Sequence, residues 1–285
     1  SRNKLQHQRL VTRVHSQEIF RPYLKDVDFG NVDQLVFVGQ HIVDIAVRDH
    51  GVPDEKCVVI SNAVDVRGLS RVKDGDARFS LGFVGMVPAQ KHLDRALDVL
   101  KRLRESDDRF RLFVKGKRPE DFPWMASRPV EMRYYEALYE RISSDAALSG
   151  AVVFDPHGDD MGDWYANIGV VLSTSDFESF HLTLADGAAS GAVPVSLAWP
   201  GADQIYPTTW LHADTDAMAS HIVELCRDED AWRFAAGVAR DYVADRFDVD
   251  LCLPALATQV LGGRAVPGWL AAVDGRETRE HATRA

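Results

Sequence analysis

The chain predicts a doubly wound α/β fold built on parallel sheet, and three observations carry that prediction. Short apolar runs rich in Val, Leu and Phe alternate with helix-period patterns through most of the 285 residues. Such runs suit strands that crossover helices cover on both faces. Several of the runs break directly into polar, glycine- or proline-containing loops, where the strands of an open α/β sheet present their ligand crevice.

In chain order the strand candidates are Leu10–His15, Gln34–Val38, Cys57–Ile60, Phe79–Gly85, Arg111–Lys115, Ala151–Phe154, Gly169–Leu172, Ala192–Ser196 and Trp210–His212. Between them lie helical stripes: Leu93, Ala96, Leu97, Leu100 and Leu103 recur at helical spacing, as do Met218, Ile222 and Leu225. The stretch Asn62–Ala77 (NAVDVRGLSRVKDGDA) is polar and turn-rich. It divides the chain into a first part, residues 1–66, a linker over 67–77, a full α/β domain over 78–262, and a charged tail over 263–285 that is expected to be disordered. The first part is short for an α/β domain. It reads as the end of one whose beginning is missing from this chain or shortened.

Composition excludes several classes. A net charge of −10 argues against generic nucleic-acid binding, which needs a basic face. Three cysteines (Cys57, Cys226, Cys252) have no metal-ligand spacing and are too few for a disulfide framework, so a reduced, cytoplasmic setting is expected. No apolar run approaches the roughly 18 residues of a membrane span. Neither the HExxH zinc motif, the serine-hydrolase elbow, the P-loop nor the GxGxxG dinucleotide signature occurs.

Four segments carry candidate chemistry. In GMVPAQK a strand ends at Gly85 and Lys91 falls in the first turn of the next helix. A cation there is disfavoured by the helix dipole unless an anion sits between it and the amides; alone, it reads equally as a solvated lysine. In ESFHLTLAD, Glu178 precedes an apolar helix and Asp186 sits two turns into it, flanked by Leu182, Leu184, Ala185, Ala188 and Ala189. A carboxylate in such surroundings needs hydrogen-bond donors, whereas a capping acid and a solvated helix position are the ordinary alternative. His15 ends a strand in the first part, with Glu18 close behind; a structural hydrogen-bonding histidine is the competing reading. Lys115, Lys117 and Arg118 form a basic loop after a strand, suited to a base or diphosphate or simply solvated.

Taken in order, these motifs resemble the group 1 (family 4) glycosyltransferases, retaining enzymes of the two-Rossmann-domain GT-B architecture. The resemblance is strongest from Leu81 to Leu225 and extends weakly back to Leu10. Lys91 falls on that family's diphosphate-binding lysine, while Met86 stands where an arginine is usual. Glu178 and Asp186 fall on its two acids, for the donor sugar and the ribose. His181 replaces the usual glycine, leaving Phe180, His181 and Leu182 to offer backbone N–H groups. The segments ASGAVPVS and VISNAVD match its following strand and interdomain hinge, and His15 its sugar-contacting histidine.

The resemblance implies transfer of a sugar from a nucleotide-diphosphate donor to a carbohydrate, lipid-linked or small-molecule acceptor, with retention and with no metal, cofactor or nucleophilic side chain. Gly85, Met86, the Lys115–Arg118 loop, residues 180–182 and Asp186 would line the donor site. A lipid-linked acceptor would allow peripheral membrane association, although the acidic balance supplies no polybasic patch for it. Two rivals stay open: a non-catalytic or split nucleotide-sugar-binding module, and a GT-B-type epimerase or hydrolase using His15 and Glu18.

Overall fold

Apolar runs too short for helices and flanked by turn residues form strands wherever the sequence places them, within one or two residues at each end. The computed structural model describes residues 3–262; the tail expectation for 263–285 lies outside the described residues. In chain order the first elements are β1 (Val11–Val14), α1 (Ser16–Phe20), β2 (Gln34–Phe37), α2 (Gln40–His50), β3 (Cys57–Val59), α3 (Val66–Leu69), β4 (Ser80–Val84) and α4 (Leu93–Arg104). Then come β5 (Arg111–Lys115), α5 (Pro129–Ser144), β6 (Val152–Asp155), α6 (Met161–Ala166), β7 (Val170–Ser173), α7 (Leu182–Ala189) and β8 (Val193–Leu197). The last are β9 (Leu211–His212), α8 (Thr215–Arg227), α9 (Glu229–Phe247) and α10 (Val249–Leu261).

The chain divides into two compact units. The first holds the described residues up to Ala63 and those from Val249 onward. Its sheet is parallel, in the order β1-β2-β3, with Val14, Leu35, Val36 and Phe37 buried, as are Ile42 and Ala46 of α2.

The second unit, Val64–Asp248, carries six parallel strands in the order β6-β5-β4-β7-β8-β9. After β4 the chain winds outward through β5 and β6, then crosses to the other side of β4 and continues through β7, β8 and β9. Such reversals leave a crevice outside the carboxyl ends of the two strands that straddle them, here β4 and β7. Helix α4 packs with α8, and α7 with α9 and α3, giving a helical layer for each face. The Leu93-to-Leu103 stripe is buried throughout. On α8, Met218 and Ile222 are buried as expected, but Cys226 rather than Leu225 completes the buried row. Helix α7 lies close on β7: a Cβ on Gly187 would stand 2.4 Å from Val171 Cγ1.

The domain boundaries differ from the sequence expectation at both ends. Segment 67–77 is part of the second unit instead of a free linker. Lys73 is buried there, its ammonium donating to Tyr165 O and to Ser190 Oγ (3.2 Å), and burial draws its pKa down to about 7. Just before it, Val64 N donates to Phe247 O at 2.7 Å. At the other end α10, read as the close of the 78–262 domain, belongs to the first unit, where Arg9 Nε donates to Gln259 O at 3.0 Å. Hydrophobic periodicity marks a helix but not which sheet it serves.

Candidate functional site

Two loops meet where β4 and β7 lie side by side. The first leaves β4 through Gly85, whose φ of 76° is a left-handed conformation that glycine adopts without strain. It then forms a short 3₁₀ turn over Ala89–Lys91 and enters α4 through His92. The second leaves β7 at Ser173 and enters α7 through His181. Side chains tie the loops together. Thr174 Oγ1 donates to Lys91 O (3.1 Å) and His92 O (2.7 Å), and the amide of Asp176 donates to Gln90 O (3.3 Å). Asp176 also takes Arg95 at 2.7 Å and His92 Nε2 at 2.6 Å.

Held this way, Lys91 Nζ lies 2.5 Å from Glu178 Oε1, with the two side chains 21% and 16% exposed. His181 Nδ1 stands 3.5 Å from the same oxygen. Burial pushes the Glu178 carboxyl up, but His181, Lys91 and a Ser175 hydrogen bond outweigh it and hold the group below the ordinary carboxylate range. Burial pulls His181 down to about 4 despite the neighbouring carboxylate. The start of α7 adds amides without intrahelical acceptors and the positive end of its dipole. Tyr206 fixes that start, its buried hydroxyl donating to Phe180 O (2.8 Å) and His181 O (3.1 Å). An ammonium, a carboxylate and the N-terminal end of α7 thus lie together at the crevice.

Asp186 lies one turn into α7, half-buried, and burial raises its carboxyl from 3.8 to about 7. Between those values the folded protein holds a proton that the unfolded chain has lost, so this group's stabilisation is complete at low pH and disappears as pH rises through 7. His181 acts in the opposite sense, adding stability as pH rises from about 4 toward its ordinary value. Chemical denaturation should therefore show that Asp186→Asn removes a stability loss on the order of 2 kcal/mol between pH 5 and 8. Parallel pH profiles for the variant and wild type would refute the assignment.

The other expected donor residues divide. Phe180 contributes only backbone, because its ring is buried against Tyr206 and Phe247; Leu182 is exposed. Met86 is corrected: its side chain is 2% exposed within the hydrophobic core, so it faces away from a ligand. Lys115 is corrected as a free cation, since it is buried and bound to Asp160 at 2.7 and 2.9 Å. Lys117 and Arg118 are exposed, lying over the rings of Phe122 and Phe154 at 6.0 and 5.0 Å. His15 belongs to the first unit, where it caps α1 and its amide donates to Glu18 Oε2 at 2.8 Å. Glu18 is therefore engaged as a capping acid.

Thr174, Asp176, Arg95 and Tyr206 are absent from the sequence reading. Each works through a partner remote in sequence, so no local spacing marks it. Among the described residues, no three His, Cys, Asp or Glu side chains cluster to hold a metal, and no helix is long and apolar enough to cross a membrane.

The family model described as glycosyl transferases group 1 matches residues 78–228. Among solved structures, the chain is similar to Anabaena HepE, crystallised with UDP and glucose, at a TM-score of 0.73 and 17% identity over 89% of this chain and 72% of that one. It is similar to S. aureus TarM, a mutant of which was crystallised with fondaparinux, α-GlcNAc-glycerol and UDP, at 0.67 and 14% over 87% and 50%. The pneumococcal O-GlcNAc transferase GtfA, in complex with UDP and GlcNAc, gives 0.65 and 16% over 90% and 52%. At such identities the likeness concerns the fold. No curated protein matches the chain in sequence.

Proposed function

Because the chain belongs to the group 1 glycosyltransferases and has their GT-B type of fold, we propose that it moves a sugar from a nucleotide-diphosphate donor to an acceptor hydroxyl, with retention at the anomeric carbon. The observation that carries this reading is the Lys91–Glu178 pair at the β4–β7 crevice, beside the first amides of α7. Bond breaking leaves negative charge on the departing diphosphate and positive charge on the sugar ring. Lys91 and the α7 amides stabilise the first, as preorganised donors do best where water is excluded. Glu178 accepts from sugar hydroxyls and orients the ring. Asp186 accepts from the ribose, and Lys117 and Arg118 flank the nucleotide.

The acceptor attacks on the face the diphosphate leaves, and its proton passes to the departing phosphate oxygen. The reaction so written uses no metal, cofactor or side-chain nucleophile. The acceptor is a glycan, a lipid-linked sugar or a small molecule; a lipid-linked one would bring the protein to a membrane surface. The neighbours crystallised with UDP or UDP-glucose make uridine the first nucleoside to test.

One observation favours a second reading, a nucleotide-sugar-binding module without turnover: the core position of Met86 removes one of the two cations used by the family this chain resembles. Thermal shift against UDP, GDP and ADP tests the shared core of both readings, since a bound ligand raises the melting temperature by mass action. A rise with one of the three is expected, and no rise with any would overturn both. Slow hydrolysis of the matching nucleotide sugar would then select the enzyme.

A further inference from the structure

Among the described residues, two that are not glycine have a positive φ: His92 at 53° and His181 at 62°. They cap α4 and α7, the helices that begin on either side of the crevice. Glycine would adopt that backbone without strain, so each imidazole invites an account. The His92 ring binds the loops together, its two nitrogens lying 3.2 Å from Asp94 and 2.6 Å from Asp176.

The ring of His181 is engaged differently. It is 4% exposed, with Nδ1 3.5 Å from Glu178 Oε1, while Nε2 has no hydrogen-bond partner among the described residues. With its pKa drawn down to about 4 by burial, the ring carries one proton at neutral pH. A carboxylate oxygen can only accept, so the proton belongs on Nδ1. The bare nitrogen is then an acceptor, which a buried site tolerates more readily than a bare donor.

Lys91 and His181 share one carboxylate oxygen. A ligand diphosphate would draw the lysine's ammonium toward itself, and a buried carboxylate that loses one of its donors relies more on those that stay, Ser175 and His181. The imidazole, fixed at the head of α7, cannot leave. We propose, resting on the donor reading above, that His181 is a positioning residue: it donates Nδ1–H to Glu178 and holds that carboxylate for the sugar while Lys91 serves the diphosphate.

The test compares wild type with His181→Gly and His181→Asn. Glycine removes the ring and suits the backbone. Asparagine tolerates a left-handed φ and carries an amide N–H donor near the place of Nδ1. Each protein is titrated with UDP, GDP and ADP and with their glucose conjugates, the pair that binds wild type being scored. The glycine variant should bind the nucleoside diphosphate within about 3-fold of wild type and the sugar conjugate about 10-fold more weakly, as loss of one charge-assisted hydrogen bond predicts. Asparagine should restore the conjugate to within about 3-fold.

Wild-type affinity for the conjugate in the glycine variant would overturn the proposal, as would equal losses for both ligands. So would failure of asparagine to rescue at an unchanged melting temperature. If wild type binds no member of the panel, the donor reading itself falls, and the proposal with it.

Discussion

A Lys91→Ala protein is expected to transfer sugar at least ~10²-fold more slowly than wild type, the loss typical of removing one preorganised donor from a developing anion. Lys91 is a cation at the mouth of α4, where the dipole disfavours it unless an anion is near. Glu178 meets that condition in the free protein, 2.5 Å away. A donor diphosphate would meet it in the complex. Deleting the ammonium therefore removes the counter-charge to the leaving group and also strips a buried carboxylate of its closest cation. The Glu178 carboxyl, now held below its ordinary range partly by Lys91, should move upward. Steady-state turnover with a nucleotide sugar measures the first effect, and a melting curve separates it from unfolding. Turnover within a few-fold of wild type, at an intact fold, would remove Lys91 from the mechanism.

Glu178→Gln should divide donor binding into its two halves. The amide keeps the size of the carboxylate but loses its charge-assisted acceptance of sugar hydroxyls. A loss of about 10²-fold in kcat/KM for the nucleotide sugar is expected, equivalent to roughly 2.7 kcal/mol and within the range for hydrogen bonds to a charged group. The nucleoside diphosphate alone should bind as well as before or several-fold more tightly, because the substitution releases Lys91 from its ion pair. Calorimetry with both ligands reads the contrast directly. Equal weakening of the two would show that Glu178 acts on the nucleotide or on the fold instead of the sugar.

The candidate pair is legible in the sequence because Lys91 and Glu178 each occupy a place that local physics makes unusual. One is a cation at a helix start; the other is an acid at the entrance of an apolar helix. Met86 was not legible in the same way. Its position after Gly85 resembles a ligand-facing one in the linear pattern, yet an apolar side chain at that point turns into the core beside Tyr135, whose hydroxyl donates to the Met86 carbonyl at 3.1 Å. Lys115 misleads for the complementary reason. A basic loop reads as an anion site until Asp160, far along the chain, is found holding its ammonium.

Among the described residues, nine strands followed from short apolar runs bounded by turns and the buried stripe of α4 from helical spacing, since both are local requirements written into consecutive residues. Neighbourhood is a different matter. That β4 lies against β7, that His181 shares an oxygen with Lys91, and that α10 belongs to the first unit are outcomes of competition among distant surfaces for the same core. No window of sequence contains both sides of such a competition, so the site became a geometry only when the chain closed on itself.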